Sequence, residues 1–386
     1  MPMSRIITSA LLCIATAASM LGCSTPTQNL QAQTVAEALA PSSAQPQVTR
    51  SAIAQGLYEL VYSNKQDVLF VASAGDFKDA SVPREILVVN PTDLAVVDKI
   101  ALPLRAFSLA LDDDGDRLYV GNTGDGTVTV IDTQSRQIVQ SLRLVGKRKS
   151  EDGREWPKYH FRQLLLDADN NRLYMPGFDD KESKLFVINT RTGRIEKIIP
   201  GFGYTATGIA LDARHNRLYV SNMEGEAVVV DTTSDEIVNR LALGAEQPLN
   251  LAYDEINHRL LAVDQGHPKM LEFQKKDMPG YESRRPGSRV VAIDLATGKT
   301  VADLKAGGPV NLKLDPARQR LFVTNRASGE VTVFDSRDYR KLHTISTPVH
   351  PNTLALQAKT GTMFLTVKNG KDAPEGSKES VVRIAF

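Results

Sequence analysis

The chain has 386 residues, with 46 Lys and Arg against 45 Asp and Glu, for a formal net charge of +1. That balance favours no partner class by bulk charge, so any contact with nucleic acid has to come from local patches. Its only two cysteines, Cys13 and Cys23, lie near the start, which excludes a disulfide-stapled scaffold; a chain this long builds a core without one.

In chain order, residues 1–22 read as an export signal. Arg5 is its one charge, and Leu11 to Ala18 is mostly apolar but too short to span a bilayer. Leu21-Gly22-Cys23 resembles the lipobox of bacterial lipoproteins, with Met20 where that motif usually has Leu. The resemblance implies cleavage before Cys23 and acyl chains such as palmitate on its sulfur. Ser24 is what outer-membrane sorting favours. The plainer alternative is an ordinary cleaved signal with a chance cysteine. Residues 23–46 are rich in Ser, Thr, Gln, Ala and Pro and read as a flexible tether, with a short helix over Thr34 to Ala40. The remaining domain is 47–386.

That domain is organised by one stretch, Arg117-Leu118-Tyr119-Val120-Gly121-Asn122, which recurs. Copies begin at Arg172, Arg217, Arg259 and Arg320, with weaker ones around Leu69 and Met363. Spacings between the first apolar residues of the seven copies are 49, 55, 45, 42, 61 and 42. A period of roughly 40–45 residues suits a four-stranded propeller blade. Strand chemistry separates this from a helical solenoid. Each unit alternates with a period near two, is rich in Val, Ile, Thr and Tyr, and turns at Gly, Asn and Asp. The four strands of a unit are labelled A to D.

Two repeated details read as scaffold. Asp112/Arg117, Asp167/Arg172, Asp212/Arg217, Asp254/Arg259 and Asp315/Arg320 share one spacing across the A–B turn. Asp caps such turns, and Arg is expected to reach it across the hairpin. Asp132, Asp231, Asp294 and Asp335, with Asn90 and Asn189, open the C–D turn. The last unit has only strands A, B and C, so Gln47 to Ala52 is expected to supply its fourth strand and close the ring. Pro248, Pro309 and Pro351 share one place near the start of strand A, which an edge strand lining the channel tolerates.

In a propeller the D–A and B–C connections emerge on one face. The long ones here are the B–C segments 75–85, 264–289 and 368–380 and the D–A segment 146–160. All four therefore share a face, where binding residues concentrate. Segment 146–160 carries Lys147, Arg148, Lys158, Trp156, Tyr159 and His160, and segment 264–289 carries Arg285. Arg105, Arg162, Tyr204, Arg326, His350 and Asn352 fall on the same face. Basic groups can hold phosphates, and aromatics can stack single-stranded bases at ~1–3 kcal/mol each. The alternative is a solvated loop with one aromatic anchored on the blades.

No metal site or cofactor is expected. His160, His267 and His350 are spread over the ring, and no His-x-His, His-Glu-x-x-His or Cys pair is present. No nucleophile elbow or phosphate loop occurs either. Glu59, Glu246 and Asp264 can approach the channel mouth, with polar lining as their ordinary explanation.

The runs Tyr119-Val120-Gly121-Asn122, Tyr219-Val220-Ser221-Asn222 and Phe322-Val323-Thr324-Asn325 resemble the YVTN family of propeller repeats. Leu57 to Ser63, Thr347 to Leu356 and Val382 to Phe386 carry a more specific resemblance to YncE-like periplasmic propellers, in which the run His350-Pro351-Asn352 matches. That resemblance implies a seven-bladed, non-enzymatic envelope protein linked to single-stranded DNA binding and iron-limited growth. The expectation is an all-β, seven-bladed β-propeller of four-stranded antiparallel blades, the last completed by an N-terminal strand. It would be a lipid-anchored monomer that captures single-stranded DNA or a similar anionic ligand. Alternatives are an iron- or siderophore-linked accessory, a scaffold docking an outer-membrane receptor, and a lactonase-like hydrolase.

Overall fold

The computed structural model describes residues 45–149, 153, 155–179, 181–347 and 349–386. Export signal, Cys23, tether and the short helix over Thr34 to Ala40 lie outside the described residues. Seven four-stranded antiparallel blades are built, in order, on strands starting at Leu57, Ser108, His160, Ile209, Pro248, Pro309 and His350. The first residue of each repeat core, Leu69, Leu118, Leu173, Leu218, Leu260, Leu321 and Met363, is 0% exposed. One phase therefore runs through all seven units. Exposure rises outward, from the buried second strands such as Arg117–Asn122 to outer strands such as Gln137–Arg143.

The core is not inside a blade but between blades. Phe70, Ala72 and Ile86 of blade 1 pack on Leu109, Leu118 and Val120 of blade 2. Ala355 and Phe364 of blade 7 pack on Leu69 and Val71 of blade 1 in the same way. Each fully buried Leu or Phe in such a layer contributes about 1.5–3 kcal/mol, so every blade depends on both neighbours.

Closure is as the sequence predicts. Strand Gln47–Ala54 pairs antiparallel with Glu379–Ala385, from Gln47 opposite Ala385 to Ala54 opposite Glu379. Side chains reinforce this seam. Glu379 Oε2 accepts from the Leu57 N–H at 2.6 Å, and the Thr353 and Thr366 hydroxyls donate to the Tyr58 carbonyl at 2.8 and 2.7 Å.

The turn aspartates cap as expected: Asp112, Asp167, Asp212, Asp254 and Asp315 each accept the backbone N–H three residues on. The arginine partner differs from expectation. Arg117 pairs with Asp132 at 2.5 Å and Arg217 with Asp231 at 2.5 Å, not with Asp112 and Asp212. The turn aspartate is engaged by its own loop, while the aspartate ending strand C lies directly opposite the arginine in the ladder. Arg172 pairs with Glu196 and Asp235, Arg259 bonds the Arg337 carbonyl, and Arg320 lies over the Phe386 ring.

Two insertions gain structure of their own. Within 146–160, Lys147–Lys149 and Glu155–Pro157 form a two-stranded hairpin. Within 264–289, Pro268–Asp277 is a helix, capped by His267 and started by proline, with Gln274 buried. Among the described residues no helix is long and apolar enough to cross a membrane.

Candidate functional site

The channel mouth is shaped by irregularity in the innermost strands. Their pairing slips between Leu57 and Leu60, between Pro248 and Leu251, and between Pro351 and Leu354. In blade 3 the strand is broken outright, into His160–Phe161 and Leu165–Asp167. A β-bulge re-aims the residues inside it. Glu59, Asn250, Asn352 and Arg162 sit in these four interruptions, and all four line a cavity of about 280 Å³ at the mouth.

Its charges are unequally satisfied. Lys368 is held by Glu379 at 3.0 Å and by the Leu57 carbonyl, with Nζ 4.0 Å from the Tyr58 ring centroid. Arg162 and Arg326 have no side-chain hydrogen bond or ion pair among the described residues, yet both line the mouth and repel each other there. Burial first, then Arg326, pulls the Arg162 guanidinium down to about 10, so it stays charged at neutral pH. Glu59 is the one carboxylate among the cavity's lining residues. Burial pushes it up to about 7, against the pull of the Leu109 N–H, Lys313 and Arg162. Burial also lowers Lys313, deeper in the channel. Two guanidiniums with a single, partly protonated carboxyl to offset them in a confined mouth are an arrangement that a bound anion stabilises.

A second cavity, an open groove of about 790 Å³, lies between the hairpin and the blade-3 B–C connection. Arg148, Trp156, Lys158, Tyr159 and His160 all line it. The His160 ring stacks on Phe178 at 5.3 Å between centroids, with Trp156 6.4 Å beyond. Burial lowers the His160 pKa, which favours the neutral ring for stacking. Phe178 lines both cavities, so groove and mouth are contiguous.

The structure thus brings together Arg148, Trp156, Lys158, Tyr159 and His160 in the groove, and Arg162, Arg326 and Asn352 in the mouth. His350 supports the mouth from behind, with Nδ1 3.0 Å from the Arg326 carbonyl. The other candidates do not join. Lys147 is paired with Asp125 at 2.6 Å. Arg105 donates to the Ala74 carbonyl at 2.6 Å and packs over Phe77. Arg285 is tied to Asp303 and to the Gly244 carbonyl, and the Tyr204 hydroxyl meets Asp277 at 3.1 Å. Glu246, in the connection before Pro248, pins the 264–289 insertion by accepting from Ser283, Arg284 and Arg285, and buried Asp264 accepts the Glu246 and Gln247 N–H groups. Tyr58, Phe107 and Lys313 carry no binding signal in the sequence, yet the first two line the mouth and the third bears on Glu59. Tyr58 and Phe107 meet across the blade 1–blade 2 junction, with ring centroids 4.7 Å apart, and Lys313 acts from blade 6; no local spacing signals either.

No family model matches the chain. It is 28% identical over 343 residues to the uncharacterized protein YncE of Salmonella typhimurium, covering 87% of this chain and 90% of that protein. Identity to the uncharacterized protein YncE of Escherichia coli strain K12 is also 28%, over 346 residues, 88% of this chain and 91% of that protein. Among solved structures, hydrazine synthase of Kuenenia stuttgartiensis matches with a TM-score of 0.63 at 17% identity, over 81% of this chain and 93% of that chain. At that identity the likeness concerns the fold alone.

Proposed function

We propose that this YncE-like β-propeller is a non-enzymatic envelope binding protein that captures an anionic, base-bearing ligand on its loop-bearing face, single-stranded DNA being the best fit. One observation carries the reading: Arg162 and Arg326 both line the mouth with no side-chain hydrogen bond or ion pair among the described residues and with one carboxyl, Glu59, to offset them, beside a groove that offers stacking rings. The mouth takes one anionic group. The groove, with Arg148, Lys158, Trp156 and His160, takes the neighbouring bases and phosphates. The test is fluorescence anisotropy with a labelled oligothymidylate at rising salt. Binding that weakens steeply with salt, and weakens in Trp156→Ala, supports the reading. Binding flat in salt removes the phosphate contacts. An excess of a ferric chelate that displaces the oligomer assigns the mouth to a small iron-linked anion instead.

Glu59 favours a second reading. A carboxyl near 7 beside Arg162 has the protonation behaviour of a general base, as a lactonase-like hydrolase would need. Turnover across a lactone panel that is lost in Glu59→Gln would establish it. The location proposed is periplasmic, with acylated Cys23 holding the protein at the outer membrane near a receptor. Labelling with a palmitate analogue, absent in Cys23→Ala, tests the anchor.

A further inference from the structure

The opposite face carries five near-identical A–B turns, and two adjacent ones depart from the pattern. The residue three places after the turn aspartate is Gly115, Asn170, His215, Asn257 and Arg318 in blades 2 to 6. The next residue is Asp116, Asn171, Asn216, His258 and Gln319, all left-handed, with φ between 51° and 56°. His258 at φ 51° occupies a conformation that asparagine adopts more readily, as in the two blades before it. The departures meet. His215 of blade 4 and His258 of blade 5 have ring centroids 5.4 Å apart, and His215 Nδ1 lies 2.8 Å from Asp212 Oδ2.

We propose that Asp212, His215 and His258 form a divalent transition-metal site that bridges blades 4 and 5. Their donor atoms all lie within 4.8 Å of one another, the one such group of three among the described residues. A first-row ion needs donors at about 2.0–2.2 Å. Exposed His215 supplies the small rotation that closes the set. The Asp212 carboxylate is 1% exposed and has no Lys or Arg ion pair among the described residues, whereas its blade-6 equivalent Asp315 pairs with Arg318. A support lies behind the ligands: the Tyr253 hydroxyl is 3.1 Å from His258 Nδ1 and bonds Asp212. This fixes the ring and leaves His258 Nε2 for the ion. Nearby cations are already neutralised, Arg214 by Glu255 at 2.8 Å and Arg217 by Asp231 at 2.5 Å. Two imidazoles and one carboxylate select Zn²⁺, Ni²⁺ or Co²⁺ over Mg²⁺ or Ca²⁺. The expectation of no metal site rested on His160, His267 and His350, which do not group; the pair that does lies on the face without insertions.

The test uses the untagged full chain, stripped with chelator and then titrated with Zn²⁺. Equilibrium dialysis should show one bound equivalent, with a rise in melting temperature because the ion binds the folded state alone. His215→Asn and His258→Asn each insert the residue that a sister blade carries, so the metal-free fold is kept. Each should abolish both the uptake and the rise. Tyr253→Phe should weaken uptake roughly 10–100-fold. Co²⁺ should give a visible absorption band that the Asn variants lack. Absence of stoichiometric uptake overturns the site, as does uptake that survives either Asn variant.

Discussion

The two ends of the channel contrast sharply. On one, five turns repeat a single hydrogen-bond pattern, each aspartate accepting the N–H three residues on. On the other, the innermost strands slip or break in different ways and the connections grow to include a hairpin and a helix. Repetition reports what every blade needs to fold. Departure from repetition reports what one blade does that the others do not. Arg162 in the broken strand, and His215 and His258 in otherwise uniform turns, stand out by that criterion on opposite faces.

The largest effect should come from removing what both ends share. Deleting residues 47–53 strips the outer strand from blade 7 and leaves Glu379–Ala385 as an open edge. Because the core lies between blades, opening one seam weakens both neighbouring layers. The expected outcome is aggregation in size-exclusion chromatography and loss of near-UV circular dichroism. A soluble, folded monomer would show that the seam is dispensable.

Next, the two ends should separate stability from binding. Arg162→Ala combined with Arg326→Ala removes two like charges that repel within one cavity, so the melting temperature should hold or rise while oligothymidylate affinity falls at least about tenfold. Arg217→Ala on the turn face breaks a partly exposed pair with Asp231. It should cost about 0.5–1 kcal/mol in urea unfolding and leave affinity unchanged. If both variants lose stability alike and neither changes affinity, the distinction between the faces fails.

The difference between the ends also explains what could be read in advance. Blade number, strand phase and ring closure were legible because Leu118 and its six equivalents recur with period-two neighbours, a local pattern with one packing solution. The Asp–Arg pairing is not legible from spacing alone, because residues adjacent in sequence compete with residues adjacent in the ladder, and Asp132 wins over Asp112 for Arg117. The helix Pro268–Asp277 left a signal, His267 followed by Pro268, but its faces are too polar to show periodicity. Repeat phase puts Arg162 and Arg326 on one face, but not in one cavity: they lie 164 positions apart, and only the assembled ring brings both to the mouth.

Glu59 provides the finest test, because one proton should register in both stability and binding. Burial raises its carboxyl from 4.5 to about 7. Between those values the folded protein holds a proton that the unfolded chain has released, so stability falls as pH rises through this window and levels off above it. The Glu59 side chain is only partly shielded from solvent, so the loss should be about 1 kcal/mol. Glu59→Gln should flatten that slope, read from urea midpoints at pH 5, 6, 7 and 8. The same proton bears on the ligand. Below pH 7 Glu59 is increasingly neutral and no longer offsets Arg162, so anion affinity should rise between pH 8 and 6 in the native chain and stay level in Glu59→Gln. Parallel pH profiles for the two proteins in both measurements would mean that Glu59 does not titrate in this range, and the charge balance of the mouth would have to be redrawn around the two arginines alone.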